Sequence, residues 1–413
     1  MPTSDCGLDS LPNEILCHIL SFLPPAFIAE VLPKVSPRFQ ALIEDQTLWR
    51  RRVYARWPAK LPTLPDDWVD CCRQREEHWA AFRRWEDGGV RLLKVEEAHI
   101  APVDALKFIQ EGSLCVSGGR DHQLRVWKIG TDSISLHKDF AQAHEAWIWS
   151  VEQLDDTTLV SGSFDQTIKT WDLEQQGPVD TFKLPAAVLS LAIRERLLAC
   201  GTIGHKVHLR DVRAKHDVKE FEYHRNIVLT LAMNDEVIIS GSKDGTVAIF
   251  DIRAEKVSHA IKLKGYPTAI SYDGSQAWVG TSRGYAACID TRSLPEAAEL
   301  VMQRRVSNNS IRSVAHSWGS VVLAAGNDNL LVLQPTKAVT SITRQTIKEG
   351  IIKVDNTLGR HVGLPTPCYT RALHRGAYTP QRRTIYESTS SGCLPRSLIN
   401  LICKCYATFK MSP

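Results

Sequence analysis

No apolar run in this chain approaches the ~20 residues that would cross a bilayer. Its first ten residues, MPTSDCGLDS, lack a basic stretch followed by an apolar one. Neither a membrane span nor a secretory leader is therefore expected. Charge of one sign is scarce: 50 Lys and Arg against 46 Asp and Glu leave a formal +4 over 413 residues, too little to argue for nucleic acid. Eleven cysteines, an odd number without framework spacing, read as reduced thiols of the cytosol or nucleus rather than a disulfide scaffold. Cys403-x-Cys405 has no second pair at zinc spacing, and the chain shows neither a glycine-rich phosphate cradle nor a metal-ligand cluster, so no metal or cofactor is expected. With 43% apolar and 23% charged residues, the composition is that of an ordinary globular protein with room for two domains.

What the chain does have is a twelve-residue pattern that recurs six times at a spacing of 39 to 45 residues. The clearest copies are SGSFDQTIKTWD (Ser161 to Asp172) and SGSKDGTVAIFD (Ser240 to Asp251), with SGGRDHQLRVWK (Ser117 to Lys128) close to them. CGTIGHKVHLRD (Cys200 to Asp211), VGTSRGYAACID (Val279 to Asp290) and AAGNDNLLVLQP (Ala324 to Pro335) are worn copies. Within a copy the residues run apolar or small, then a tight turn, then an alternating stretch, which reads as strand, turn, strand. Another apolar strand precedes and a polar one follows, giving four strands per unit. A fixed period of this length means one supersecondary unit copied around an axis, each burying its neighbour's apolar face. The class predicted is mainly β, with function on a surface rather than in a catalytic pocket.

These copies resemble WD repeats, and the resemblance implies a β-propeller. In that family a histidine, a strand serine, a turn aspartate and a tryptophan are hydrogen-bonded within each blade. The first copy carries His99, Ser117, Asp121 and Trp127, and the second His144, Ser161, Asp165 and Trp171. The fourth has His224, Ser240 and Asp244, but Phe250 replaces the tryptophan; the third puts Gly204 at the turn and Arg210 at the tryptophan site. A Ser-His-Asp set also invites a hydrolase reading. A nucleophile would not be repeated blade after blade, however, and no Gly-x-Ser-x-Gly elbow exposes the serine. These sets are read as structural, and the chain as no enzyme. Six copies are visible where seven blades are common in the family, so a seven-bladed ancestry is implied.

Residues 8–57 have helical spacing broken by prolines. Pro12 suits a first helical turn, Glu14 complements the helix N-terminus, and Pro24-Pro25 stops the helix. Ile15, Ile19 and Phe22 make one apolar stripe, and Leu16, Leu20 and Leu23 an adjacent one. A unit of about 50 residues cannot bury so wide a face internally, so a partner is expected on it. The order resembles an F-box, a small all-α domain, in Leu11, Pro12, Glu14, Ile15, Leu16, Leu48 and Trp49, with Ile19, Leu20, Leu23, Leu32, Val35 and Leu42 at its intervening apolar positions. Ser36 and Phe39 depart from the family's frequent cysteine and tryptophan. The resemblance implies docking on a Skp adaptor through Leu11, Pro12, Ile15, Leu16, Ile19, Leu20, Leu23, Leu32, Val35, Leu48 and Trp49. Through that adaptor would come a cullin-RING scaffold. Proteins joining an F-box to WD repeats are typically substrate receptors of SCF ubiquitin ligases, which implies an unidentified protein substrate and a cytoplasmic or nuclear location.

The organisation expected is therefore an F-box domain at 8–57, a linker with a packing helix at 58–89, a propeller at 90–355, and a tail at 356–413. The tail shows no repeat and reads as disordered or as an alternative C-terminus. Val90 to Val95 looks like a spare strand, of the kind that in WD propellers often completes the last blade. The repeat register also lists residues expected at the propeller mouth. Those before the turn are Arg120, Phe164, Ile203, Lys243, Ser282 and Asn327; those before the first strand are Pro102, Trp147, Ala187, Ile227, Thr268 and Ser310. Arg120, Trp147, Phe164, Ile203, Ile227 and Lys243 are the candidate substrate contacts. With only Arg120 and Lys243 basic, a mixed apolar and polar degron is expected rather than a multiply phosphorylated one. The rival to a substrate receptor is a scaffold that binds the adaptor without delivering substrate.

Overall fold

The computed structural model describes residues 11–56, 67–83, 91–346 (bar 97, 131–132, 213–217, 295–296, 318–319, 327–328 and 335–339), 372–373 and 399–404. Five helices come first: α1 (Asn13–Leu20), α2 (Pro25–Glu30), α3 (Pro37–Glu44), α4 (Gln46–Arg56) and α5 (Trp68–Arg83). Prolines open two of the first three at positions where no amide hydrogen is needed. Ser36 earns its place as the N-cap of α3, its hydroxyl accepting from the Phe39 amide at 3.3 Å. The helices close over Leu16, Leu20, Ile28, Phe39, Ile43, Trp49 and Val53, and α5 adds Trp68 and Cys72 to the same core. The Trp49 indole donates to the Ile43 carbonyl at 2.8 Å, so the largest buried side chain leaves no polar atom unsatisfied.

The rest is mainly β. Six antiparallel four-stranded sheets follow one another in chain order, each a meander. Their inner strands, Val103–Ile109, Ile148–Gln153, Val188–Arg194, Val228–Met233, Pro267–Tyr272 and Ile311–Ser317, together line a central cavity of about 330 Å³. This is a six-bladed propeller. Hydroxyls on these strands accept from the next blade's backbone: Ser150 from the Leu191 amide, Ser190 from Leu231, Thr230 from Ile270 and Ser271 from His316, all at 2.9–3.1 Å.

Apolar contact holds the blades face to face, and one glycine in each of blades one to five sets how closely they approach. A Cβ on Gly118 would lie 2.5 Å from Ile148 Cγ2, and one on Gly162 2.6 Å from Val188 Cγ1. The first residue of each following inner strand packs into that space. Gly162→Ala is therefore expected to lower stability by about 1–3 kcal/mol through overpacking, read as a drop in the denaturant midpoint. An unchanged midpoint would show that the blades can slide apart at no cost.

Pairing corrects three expectations. Blade six ends in its own outer strand, Thr340–Thr346, and the N-terminal strand does not pair with it. Arg91–Glu96 instead pairs in parallel with Ile399–Lys404, which pairs with Ala372–Leu373. The remainder of 356–413, read as a disordered or alternative tail, lies outside the described residues. In the sixth copy Ala325 faces Ile311, as Gly119 faces Val103 in the first. The pattern there starts at Leu323, one residue earlier than the sequence suggested. In the fifth, the inner strand starts at Pro267, so Thr268 lies inside it and Tyr266 takes the preceding position.

Candidate functional site

Within three blades the hydrogen-bonded sets form. In blade two the Trp171 indole donates to Ser161 Oγ at 2.7 Å, Ser161 Oγ lies 2.7 Å from His144 Nε2, and His144 Nδ1 lies 2.9 Å from Asp165 Oδ2. Blade one repeats this with Trp127, Ser117, His99 and Asp121 at 2.7–3.0 Å. In blade four, His224 joins Ser240 at 2.8 Å and Asp244 at 3.3 Å. There Ser240 Oγ also hydrogen-bonds Tyr223 Oη at 3.2 Å, and the Tyr223 ring stacks on Phe250 at 5.3 Å. Tyr223 thus returns the polar contact that Phe250 cannot make, a compensation the repeat pattern did not reveal. In blade three Arg210 Cζ sits over Phe182, 3.5 Å from the ring centroid.

Burial sets the protonation of the histidines in blades two and four. Desolvation would raise Asp165, but hydrogen bonds from His144 and Thr167 outweigh it and hold the carboxyl well below its usual range. Burial pushes His144 and His224 down despite their aspartates. At neutral pH the His144 and His224 imidazoles are neutral, with Nδ1–H donating to the carboxylate and Nε2 accepting from the serine. All these atoms are held inside the blades, so none is presented as a nucleophile. Because the folded histidines resist protonation, the unfolded chain binds more protons once pH falls below about 6.5. Stability should fall as pH drops from about 7 toward 5, and His144→Gln should flatten that dependence in thermal melts. A wild-type melting point constant across this window would count against buried neutral histidines.

Two surfaces remain. On the helical domain, Leu16, Leu20 and Trp49 are 1%, 3% and 0% exposed and belong to the core. Leu11, Leu23, Leu32, Leu42 and Leu48 are half-buried against it, and Pro12 is exposed. Outside stand Ile15 at 48%, Ile19 at 37% and Val35 at 64%, joined by Phe22 at 74%, Phe27 and Val31. The two stripes read from the sequence thus separate, one turned inward and one outward. Phe27 and Val31 were not singled out; they sit one helix on, where spacing alone does not align them with α1.

The second surface is the propeller rim. One backbone bond per blade marks it: the amides of Arg120, Phe164, Ile203, Lys243, Ser282 and Gly326 donate to the carbonyls of Pro102, Trp147, Ala187, Ile227, Tyr266 and Ser310 at 2.8–3.0 Å. Gly326 and Tyr266 replace the expected Asn327 and Thr268; Asn327 itself lies outside the described residues. Trp147 and Phe164 are 39% and 40% exposed with rings 5.8 Å apart. Arg120 lies 4.6 Å over Trp147 and pairs with Asp104 at 2.5 Å. Ile203 and Lys243 are exposed and Ile227 half-buried. Among the described residues no cluster of three or more His, Cys, Asp or Glu could hold a metal, and no helix is long and apolar enough to cross a membrane.

A small helical domain with an apolar outer face, followed by a ring of four-stranded blades, defines an F-box-bearing WD-repeat propeller. The F-box-like family model matches residues 8–55, and the WD domain, G-beta repeat, matches 90–128, 136–172 and 215–251. F-box/WD repeat-containing protein 9 from Homo sapiens is 32% identical over 368 residues, covering 85% of this chain and 79% of that protein. The protein of the same name from Bos taurus is 31% identical over 369 residues with the same coverage. The chain therefore belongs to the family of F-box/WD repeat-containing protein 9. Among solved structures, that of U3-55K superposes with a TM-score of 0.55 at 17% identity, covering 63% of this chain and 86% of that one, which concerns the fold alone.

Proposed function

We propose that this chain is the substrate-recognition subunit of an SCF ubiquitin ligase. Its outer helical face docks on the Skp adaptor, and through it on a cullin-RING scaffold, while the propeller rim holds a protein substrate. The observation that carries this reading is the exposed stripe of Ile15, Ile19, Phe22, Phe27, Val31 and Val35 beside a core already complete without it. Apolar side chains left outside a finished core mark an interaction surface. The chain supplies proximity and no chemistry of its own, since transfer of ubiquitin occurs between another subunit's cysteine and a substrate lysine.

The arm between the two surfaces supports the same reading. Helix α5 lies against α4 and α2 on one side and against the outer strand of blade six on the other. A packed arm sets one distance from adaptor to rim, and a fixed distance raises the effective concentration of substrate at the ubiquitin donor. The test is co-purification of the full chain with the Skp adaptor, followed by proximity labelling in cells with the proteasome inhibited. Labelled proteins whose half-lives lengthen when the chain is depleted would support the receptor. Adaptor capture with no half-life changed would favour the scaffold instead, and no capture would remove both.

A further inference from the structure

The rim is divided by chemistry. Across blades one to three it shows Trp147, Phe164 and Ile203, each 37–40% exposed. The one cation among the described rim positions there, Arg120, is paired with Asp104 and stacked on Trp147, so its charge is largely answered within the rim. Around blades four and five the equivalent positions turn basic. Lys243 holds the place that Phe164 holds in blade two, and Lys264 the place of Glu145. At the turn, where blades one, two and four set an aspartate against a histidine, blade five has Arg283, and Leu263 stands where the histidine would be. That guanidinium therefore has no such internal partner. Arg225, Lys243, Lys264 and Arg283 are all exposed, and among the described residues none is in an ion pair. The neighbouring carboxylate, Asp244, is already engaged by His224 and Thr246.

We propose that the rim takes an extended acidic segment of a partner protein. Its aspartates and glutamates lie along blades four and five, and one apolar or aromatic side chain seats on Trp147 and Phe164. This deepens the receptor reading and rests on its placing substrate at the propeller. Complementary charge over one arc of a ring and an aromatic anchor on the other would fix the direction of the segment as well as its affinity. Carboxylates fit better than phosphates: the four cations come from separate exposed loops, two of them lysines, without the converging arginine forks that suit phosphate.

The purified full chain, with or without the adaptor, is challenged with displayed random peptides, and the peptides it enriches are remade with a fluorescent label for anisotropy. Enriched peptides should be rich in Asp and Glu around one aromatic or aliphatic residue. Lys243→Glu with Lys264→Glu should weaken them about tenfold or more, the charge-neutral glutamine pair by less. Binding should fall as salt rises to ~0.3 M, whereas Trp147→Ala should weaken it at every salt concentration. No enrichment, neutral or basic peptides, indifference to charge reversal, or a strict need for phosphoserine on a parallel array would each overturn the proposal. Adaptor capture is measured on the same variants. Because it depends on the helical domain, its failure strikes the receptor reading and leaves the peptide result to stand by itself.

Discussion

Ile15→Asp combined with Ile19→Asp is expected to abolish capture of the Skp adaptor in a pull-down while leaving the melting of the propeller unchanged. Both side chains point outward from α1, so in the free chain the substitutions remove no core contact. In a complex they would bury two carboxylates in apolar surface, at a cost of several kcal/mol unless paired. Each isoleucine lost also forgoes about 1.5–3 kcal/mol of apolar burial at full occlusion. Leu16→Ala is the instructive contrast. It opens a cavity in the helical core and should cost about 2–5 kcal/mol, enough to unfold a domain this small. Lost capture in that variant would report unfolding rather than the interface. Undiminished capture by the double aspartate variant would remove this face from the adaptor contact.

The second large effect is expected at Arg52. Its guanidinium reaches Glu76 on α5 at 2.7 and 3.0 Å and also donates to the carbonyls of Leu20 and Leu23 at 2.7 and 2.6 Å. Both side chains are almost wholly buried. One residue thereby closes the end of α1 and ties the helical domain to the arm. Arg52→Ala strands a buried carboxylate and two carbonyls, which should cost about 3–5 kcal/mol. The double variant Arg52→Met, Glu76→Leu should recover most of that, since an apolar pair replaces the charges without leaving one alone. Thermal melts together with limited proteolysis between α4 and α5 would measure both. If the single variant melts like wild type, or the double variant is no better than the single, this pair does not hold the joint.

The propeller was legible because its information is local and repeated. The well-kept copies carry a turn aspartate and alternating strands, five of the six have a glycine where the next blade presses in, and the copies reinforce one another. The worn copies show where that legibility stops. Copy six has neither serine nor tryptophan to anchor the count, and reading it one residue late put Asn327 where Gly326 stands. Copy five offered Pro267 and Thr268 with nothing to say which opened the strand. Only the cross-strand partner, Thr281 opposite Pro267, decides it. Part of the basic arc of the rim was hidden for the same reason: Arg283 already aligns with Asp165 in the repeat, but Lys264 aligns with Glu145 only once the start of the inner strand is known.

By itself, the order of residues determined a helical module followed by six strand units and the hydrogen-bonded sets of the three well-kept blades. Periodicity and turn chemistry act over a few residues, so they can be read without knowing the rest of the chain. The tertiary structure alone decided which of two adjacent stripes on α1 faces water, that Tyr223 stands in for a missing indole, and that Arg52 reaches across to Glu76. These depend on contacts between residues distant in sequence, where burial and pairing are settled by what arrives opposite.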